Sequence, residues 1–350
     1  MSHQYQAIAW NRQKHIYDVV LVAGVTLYLT FFVGISAFLF PYATAKTLTI
    51  RAAGSAAFLL LHIVLCIGPL CRLDPKCLPL LYNRRHLGVV TFLLGAIHSV
   101  AAIRQFHSHG DKDPFVSLLT SNQDFGSLPD FPFQQLGFLA LIILFLMAAT
   151  SHDFWLRNLT PPVWKALHMS VYVAYALLVA HVTLGLLQSE TSPLLAAGTG
   201  FGLLIVLTLH VVAARQEAKM DSKKLGPVAD GFVKACAVTE IPEKCATVVS
   251  LNNERVAIFK YDGKISAISN VCRHQNGPLG EGKIIDGCVT CPWHGFQYLP
   301  ENGASPPPFT ERVSTFQTKI VHGRVWIDPR PNPPGTWVEP SLIGTTDVMA

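Results

Sequence analysis

Two cysteines and two histidines fall into paired motifs, Cys272-Arg273-His274 and, after sixteen further residues, Cys291-Pro292-Trp293-His294. Each half offers one thiolate and one imidazole. Cysteine sulfur suits iron–sulfur clusters, and imidazole suits iron among other metals. A mixed-ligand [2Fe–2S] centre places two cysteines on one iron and two histidines on the other. The rival is structural zinc, whose sites tend to pair Cys with Cys and His with His in C-x2-4-C and H-x3-5-H units. Both pairs here are mixed, so the pattern favours the cluster. Its expected ligands are Cys272, His274, Cys291 and His294.

The spacing C-x-H-x16-C-x2-H resembles the Rieske [2Fe–2S] signature. Gly277-Pro278-Leu279-Gly280 follows the first pair and Gly295 the second. Glycine lets backbone pass close to a buried cluster. Pro306-Pro307-Pro308 matches the stiff covering loop of Rieske domains. High-potential respiratory members of that family carry an extra cysteine beside each ligand pair. Here Asn276 and Trp293 stand in that neighbourhood, and Phe296 stands where those proteins place a serine hydroxyl, although Tyr298 is kept. Fewer hydrogen bonds to cluster sulfur imply a lower potential. The resemblance is therefore to Rieske domains of the ferredoxin and oxygenase type. A whole Rieske oxygenase is not expected, because its mononuclear iron needs a large domain after the cluster and only a short stretch follows His294.

The elements that must position these residues are of two kinds. The chain has 350 residues, half of them hydrophobic and 14% charged, against a globular norm of about 25% charged. That composition points to a membrane. The net charge of +5 is small and dispersed, so no nucleic-acid partner is expected. Six apolar stretches, 19–40, 52–71, 87–103, 136–150, 163–187 and 194–214, read as membrane spans. The first is too long for a cleaved signal core, which runs about 7–15 residues, and reads as a signal anchor. Twelve Lys and Arg, among them Arg84, Arg85 and Arg215, fall on one side of these spans, and only Lys46, Arg51, Arg104 and Lys112 on the other. The asymmetry places both termini in the cytoplasm of a multi-pass cell-membrane protein. The loop 105–134, with His107, His109 and four aspartates, is then external: a solvated cap or an entry surface for substrate or metal. Gly198, Gly200 and Gly202 follow no strand, so they read as helix-packing residues rather than a dinucleotide loop.

From residue 232 the pattern changes to short alternating stretches, 232–238, 246–251, 256–261, 264–268 and 325–327, with Asp262-Gly263 as a hairpin turn. The expected organisation is a cytoplasmic tail 1–18, a membrane all-α six-helix bundle over 19–214 and a linker 215–227. A C-terminal small antiparallel all-β Rieske domain follows over 228–330, then an irregular tail 331–350. The remaining six cysteines read as buried free thiols.

Imidazoles inside spans are costly and usually functional. His62, His98, His168, His181 and His210 lie in spans, and His86 lies at the cytoplasmic edge of the third. His168 and His181 are thirteen residues apart, about 20 Å along a helix axis, which suits two stacked haems. Interhelical hydrogen bonding is the alternative for each. Arg84-Arg85-His86-Leu87-Gly88 before His98, and Thr150-Ser151 followed by Trp164-Lys165-Ala166-Leu167-His168 and His181, resemble ferric reductase-like transmembrane domains. The resemblance implies that His98, His168 and His181 bind b-type haem, with His98 and His181 as the outer pair. For the fourth ligand, Arg84 stands where NADPH oxidases have histidine, leaving His86, His62 or His210, and either one haem or two. The flavin and nicotinamide module of ferric reductases is missing. The function implied is a membrane-bound oxidoreductase carrying electrons between a cytoplasmic cluster and haem, outward to an external acceptor. Its donor would be a cytoplasmic ferredoxin or reductase, or a membrane quinol. The alternative is a non-catalytic electron-carrier or redox-sensing subunit of a larger complex.

Overall fold

The computed structural model describes residues 12–81, 84–127, 131–151, 159, 161–189, 193–221, 228–252, 254–274, 276–292 and 295–344. The chain divides into two compact units. One holds residues 11–70 and 83–211, the other 71–82 and 212–350.

Among the described residues there are eight α-helices: α1 (Arg12–Leu39), α2 (Ala45–Leu73), α3 (Arg84–Phe106), α4 (Pro114–Thr120), α5 (Phe133–Ala149), α6 (Pro161–Met169), α7 (Val171–Ser189) and α8 (Pro193–Asp221). A helix satisfies its own backbone, which lipid cannot do for it. Five stretches, 15–39, 45–73, 84–106, 163–185 and 196–219, are long and apolar enough to cross a membrane. The sixth expected span, 136–150, falls in α5. That helix has 17 residues, about 25 Å at 1.5 Å per residue, against a hydrocarbon core of about 30 Å. Five of the six expected spans thus meet that length, and the sixth corresponds to the shorter apolar helix α5. The span expected at 163–187 is divided by a turn at Ser170, between α6 and α7, where the Ser170 hydroxyl donates to the Leu167 carbonyl at 2.5 Å.

Helical spacing sorts the faces of α3. Leu87, Thr91 and Leu94 form its buried stripe, and His98 continues that stripe one turn on. Leu93, Ile97 and Val100 face outward. The bundle core joins Leu61 and Leu65 of α2, Ala140 and Leu144 of α5, Ala174 and Tyr175 of α7, and Val206 of α8. Ala140 and Ala174 are fully buried, as small residues are where helices in lipid approach closely.

The second unit is built mainly of short antiparallel strands: β1 (Val228–Ala229), β2 (Phe232–Ala237), β3 (Ala246–Leu251), β4 (Glu254–Tyr261), β5 (Lys264–Ser269), β6 (Lys283–Ile285), β7 (Cys288–Thr290), β8 (Gln297–Tyr298), β9 (Thr315–Phe316), β10 (Thr318–Val321), β11 (Arg324–Ile327) and β12 (Ser341–Leu342). They form sheets β1-β2-β11-β10, β12-β5-β4-β3 with β9 also on β5, and β6-β7-β8. The expected Asp262-Gly263 hairpin is present, with Tyr261 paired to Lys264 and both turn residues at positive φ, 46° and 71°, the two-residue turn that suits the strand twist. The tail is less irregular than expected. Beyond Pro329, β12 pairs with β5, and the Asn332 and Val338 amides donate to the Thr315 and Glu301 carbonyls.

Within the same unit, a chain of ion pairs ties α8 to β4. Arg255 of β4 clasps Asp221 with two hydrogen bonds of 2.9 and 2.6 Å, and Glu217 lies between Arg255 at 3.5 Å and Arg72 at 3.1 Å. The hydrogen bond from Arg255 holds the Asp221 carboxyl below the usual carboxylate range.

Candidate metal centre and intramembrane histidines

The two cysteine loops of the β domain have the same backbone geometry. Cys272 N–H donates to the Gly277 carbonyl five residues on at 2.9 Å, and Asn276 N–H donates back to the Cys272 carbonyl at 2.7 Å. In the second loop Cys291 N–H donates to Phe296 O at 2.8 Å and Gly295 N–H to Cys291 O at 2.9 Å. The fifth residue of each loop is left-handed, Asn276 at φ 59° and Gly295 at φ 73°, which glycine and asparagine tolerate best. The first loop follows β5 and the second joins β7 to β8. Both thiols are 1% exposed and neither forms a disulfide.

Behind the first loop, Asn270 accepts Leu279 N–H on its backbone oxygen at 2.8 Å and Gly280 N–H on its side chain at 2.7 Å. A Cβ on Gly280 would strike Val248, and one on Gly282 would strike the Thr290 carbonyl. Those glycines are required by close approach.

The ring of His274 stacks on Phe296, centroids 4.7 Å apart and 6° from parallel. Phe309, at the end of the proline loop, meets Phe296 edge-on at 5.0 Å. Buried Tyr298 accepts Arg273 N–H on its hydroxyl at 2.9 Å, and that hydroxyl lies 3.4 Å from Cys272 Sγ. Toward a thiolate the tyrosine must donate. Burial, and then the neighbouring Cys272, push the Tyr298 phenol up. His294 lies outside the described residues, so three of the four expected ligands are placed. Among the described residues no three His, Cys, Asp or Glu converge as around a single ion. A two-iron centre does not require that, because thiolates and imidazoles sit on different irons. The buried, unbridged thiols and the hydroxyl on Cys272 Sγ fit a [2Fe–2S] cluster.

Two of the intramembrane histidines have both ring nitrogens occupied within the protein. His62 donates from Nδ1 to the Phe58 carbonyl at 2.7 Å and receives the Tyr175 hydroxyl on Nε2 at 3.0 Å. His210 donates to Val206 O at 2.8 Å and receives Tyr172 at 3.1 Å. Both nitrogens of both rings are satisfied within the protein. Gly202 lies against His62, while a Cβ on Gly198 or Gly200 would meet nothing within 4 Å.

His98 and His181 differ. Each donates from Nδ1 to a carbonyl of another helix, Ile50 at 2.9 Å and Phe133 at 2.8 Å. A carbonyl can only accept, so each proton is on Nδ1 and each Nε2 carries a lone pair. Among the described residues no hydrogen bond reaches either Nε2. The two rings lie 6.2 Å apart, centroid to centroid, at 84°. Metal–imidazole bonds of about 2.0–2.1 Å would set rings on opposite sides of one ion roughly 6 Å apart. Gly54 and Gly137 make the room: a Cβ there would come within 2.6 Å of His98 and 2.8 Å of His181. The pair fits a haem iron.

Near the start of α3, His86 Nδ1 pairs with Asp18 of α1 at 2.9 Å. His168 stacks on Trp164 at 3.9 Å and 24°, and its Nε2 lies 3.5 Å from the Thr150 hydroxyl. Asp18 and the glycine cradles are the features sequence reasoning missed. A glycine facing a histidine on another helix is a packing relation with no local signature.

The fold and these sites define a membrane redox protein of two parts. Residues 231–317 match the Rieske [2Fe–2S] domain and residues 53–179 the ferric reductase-like transmembrane component, so the chain belongs to the Rieske family joined to a ferric reductase-like membrane domain. His181 lies two residues past the second match. Over 100 residues the chain is 36% identical to a biphenyl dioxygenase ferredoxin subunit of Pseudomonas sp. (strain KKS102), covering 28% of this chain and 91% of that one. It is 30% identical over 103 residues to the ferredoxin component of an alkene monooxygenase system of Xanthobacter autotrophicus, covering 29% and 84%. Among solved structures, the ferredoxin of carbazole 1,9a-dioxygenase from Nocardioides aromaticivorans is similar over 28% of this chain and 98% of that one, at 19% identity and a TM-score of 0.27.

Proposed function

We propose that this protein is a transmembrane oxidoreductase moving single electrons between a Rieske cluster and b-type haem. The cluster ligands are Cys272, Cys291, His274 and His294. His98 and His181 hold one haem, and where two are bound His168, with His86 as its partner, holds the second nearer the cytoplasm. Both cofactors supply one-electron carriers when bound. The protein's own work is to hold them apart and set their potentials. Phe296 and Phe309 cover His274, Tyr298 donates toward Cys272, and the Ile50 and Phe133 carbonyls fix the tautomers of His98 and His181.

The observation that carries the reading is the His98–His181 pair, 6.2 Å apart with both Nδ1 protons on carbonyls. Both termini and the β domain face the cytoplasm, and the donor is a ferredoxin, a reductase or a membrane quinol. Purified wild-type protein should show a haem Soret band and the low average g-value of a mixed-ligand [2Fe–2S] centre. His181→Ala should lose haem and keep the cluster signal. A wild-type protein without haem would overturn the membrane half of the reading. The two ferredoxin relatives favour a second reading, a carrier subunit without turnover of its own. Turnover by the purified chain with a chemical donor and acceptor separates the two.

A further inference from the structure

Where α2 begins and α3 ends, a groove of about 990 Å³ opens on the outward side of the bundle. This is near the upper limit for small-molecule sites, about 1,000 Å³. Its floor is the exposed stripe Leu93, Ile97 and Val100 of α3, and its mouth carries Lys46, Arg104 and His109. No carboxylate lines it. Neither Lys46 nor Arg104 pairs with an acid among the described residues. Of the four Lys and Arg on this side of the spans, two therefore meet at one mouth.

Lys46 is electrostatically misplaced as a structural residue. It stands in the first turn of α2, where the helix dipole is already positive and an anion, not a cation, is stabilising. Thr44 caps that turn, its hydroxyl accepting Thr47 N–H at 3.2 Å. Arg104 closes the last turn of α3. The two helices are joined on the inner side by Gln105 to Thr47 at 3.3 Å and His98 to Ile50. On the outer side the groove separates them, and two cations face each other across it.

We infer that this groove binds an acidic phospholipid of the leaflet it faces. The phosphate sits between Lys46 and Arg104, with the Thr49 and Ser108 hydroxyls also lining the mouth, and an acyl chain lies along Leu93, Ile97 and Val100. A Lys and an Arg together suit a phosphate, which takes charge-assisted hydrogen bonds from both. A quinone ring fits less well, because no Phe, Tyr or Trp lines the groove for it to stack on. A lipid seated here would brace α2 against α3 beside the His98–Ile50 hydrogen bond.

The test uses the full chain, purified and delipidated in detergent, and titrates phosphatidylglycerol, phosphatidylcholine, inorganic phosphate and a long-chain quinone separately. Thermal stability and native mass spectrometry are the readouts. Phosphatidylglycerol should bind with a defined stoichiometry and raise Tm, while the other three should not. The double variant Lys46→Gln/Arg104→Gln should fold, and should bind phosphatidylglycerol about thirtyfold more weakly, the loss expected for two basic residues at a lipid surface. Equal binding of phosphatidylcholine, an effect from phosphate or quinone alone, or an unchanged double variant would overturn the inference. None of these readouts depends on haem or on the direction of electron flow.

Discussion

Gly54 and Gly137 are the residues against which His98 and His181 rest, and they separate packing from propensity. Alanine in place of a mid-helix glycine ordinarily stabilises by about 0.8–1.0 kcal/mol. At these two positions the new methyl would meet an imidazole at 2.6 or 2.8 Å, so the ring must turn and Nε2 must leave its place. Gly54→Ala and Gly137→Ala should therefore keep helicity yet lose haem occupancy on the order of tenfold, the scale of a disturbed supporting contact. Gly24→Ala, where nothing lies within 4 Å, should keep its haem. Haem-to-protein ratios from pyridine haemochrome spectra decide it, and equal ratios in all three variants would count against the His98–His181 site. In the β domain the comparable residue is Tyr298. Tyr298→Phe removes the hydroxyl 3.4 Å from Cys272 Sγ and so removes stabilisation of the reduced, more negative centre. The midpoint potential should fall by on the order of 60 mV, a tenfold change for a one-electron couple. Redox titration followed by the cluster signal reads this directly, and a rise in potential would contradict the assigned hydrogen bond.

At the scale of elements, legibility followed local signals. Asp262-Gly263 was read as a hairpin because the dipeptide meets a backbone need. Asp230-Gly231 and Asp286-Gly287 make the same positive-φ turns, at 52° and 78° and at 50° and 76°, and carry the same sequence signal for the β1–β2 and β6–β7 hairpins. The strands β6, β7, β8 and β9 span two or three residues, too short for alternation to show. β12 was missed because its proline-rich surroundings read as breaker chemistry, while its pairing with β5 is long-range. The ion pairs between α8 and β4 are likewise invisible locally, and they carry a pH dependence. Asp221 is held below its unfolded value of about 3.9, with the Arg255 hydrogen bond as the leading cause. A depressed carboxyl contributes stability that is present above the unfolded value and lost as pH falls through the folded one. Thermal unfolding of the β domain should therefore weaken from about pH 4 downward. Asp221→Asn should lose that part of the acid limb, and high salt should shrink it, since both side chains are over a third exposed, at 43% and 35%, and such pairs are screened. An acid limb identical in wild type and variant would remove the ion pair from the account.

For the molecule as a whole, composition points to a membrane protein and the Lys/Arg asymmetry to a proposed orientation, and direction of flow is the prediction that uses both. Beside the ligand pairs stand Asn276 and Trp293 rather than the extra cysteines of high-potential members, and the residue beside the second loop that would lend a serine hydroxyl is Phe296, whose ring stacks on His274. With Tyr298 as the side-chain hydroxyl at Cys272 Sγ, the cluster should sit low in a range of roughly −150 to +300 mV. Bis-histidine haem between helices can lie above it, so the proposed direction of flow is from the cluster toward His98 and His181 and on to an acceptor at the far side. A membrane potential negative inside favours that transfer by about 2.3 kcal/mol per 100 mV. Stopped-flow reduction of the cytoplasmic face in inverted vesicles should reduce cluster before haem, and Cys272→Ser should slow haem reduction without removing haem. Haem reduced first, or at a rate indifferent to Cys272→Ser, would mean that a quinol feeds the membrane histidines and that electrons travel inward to the cluster.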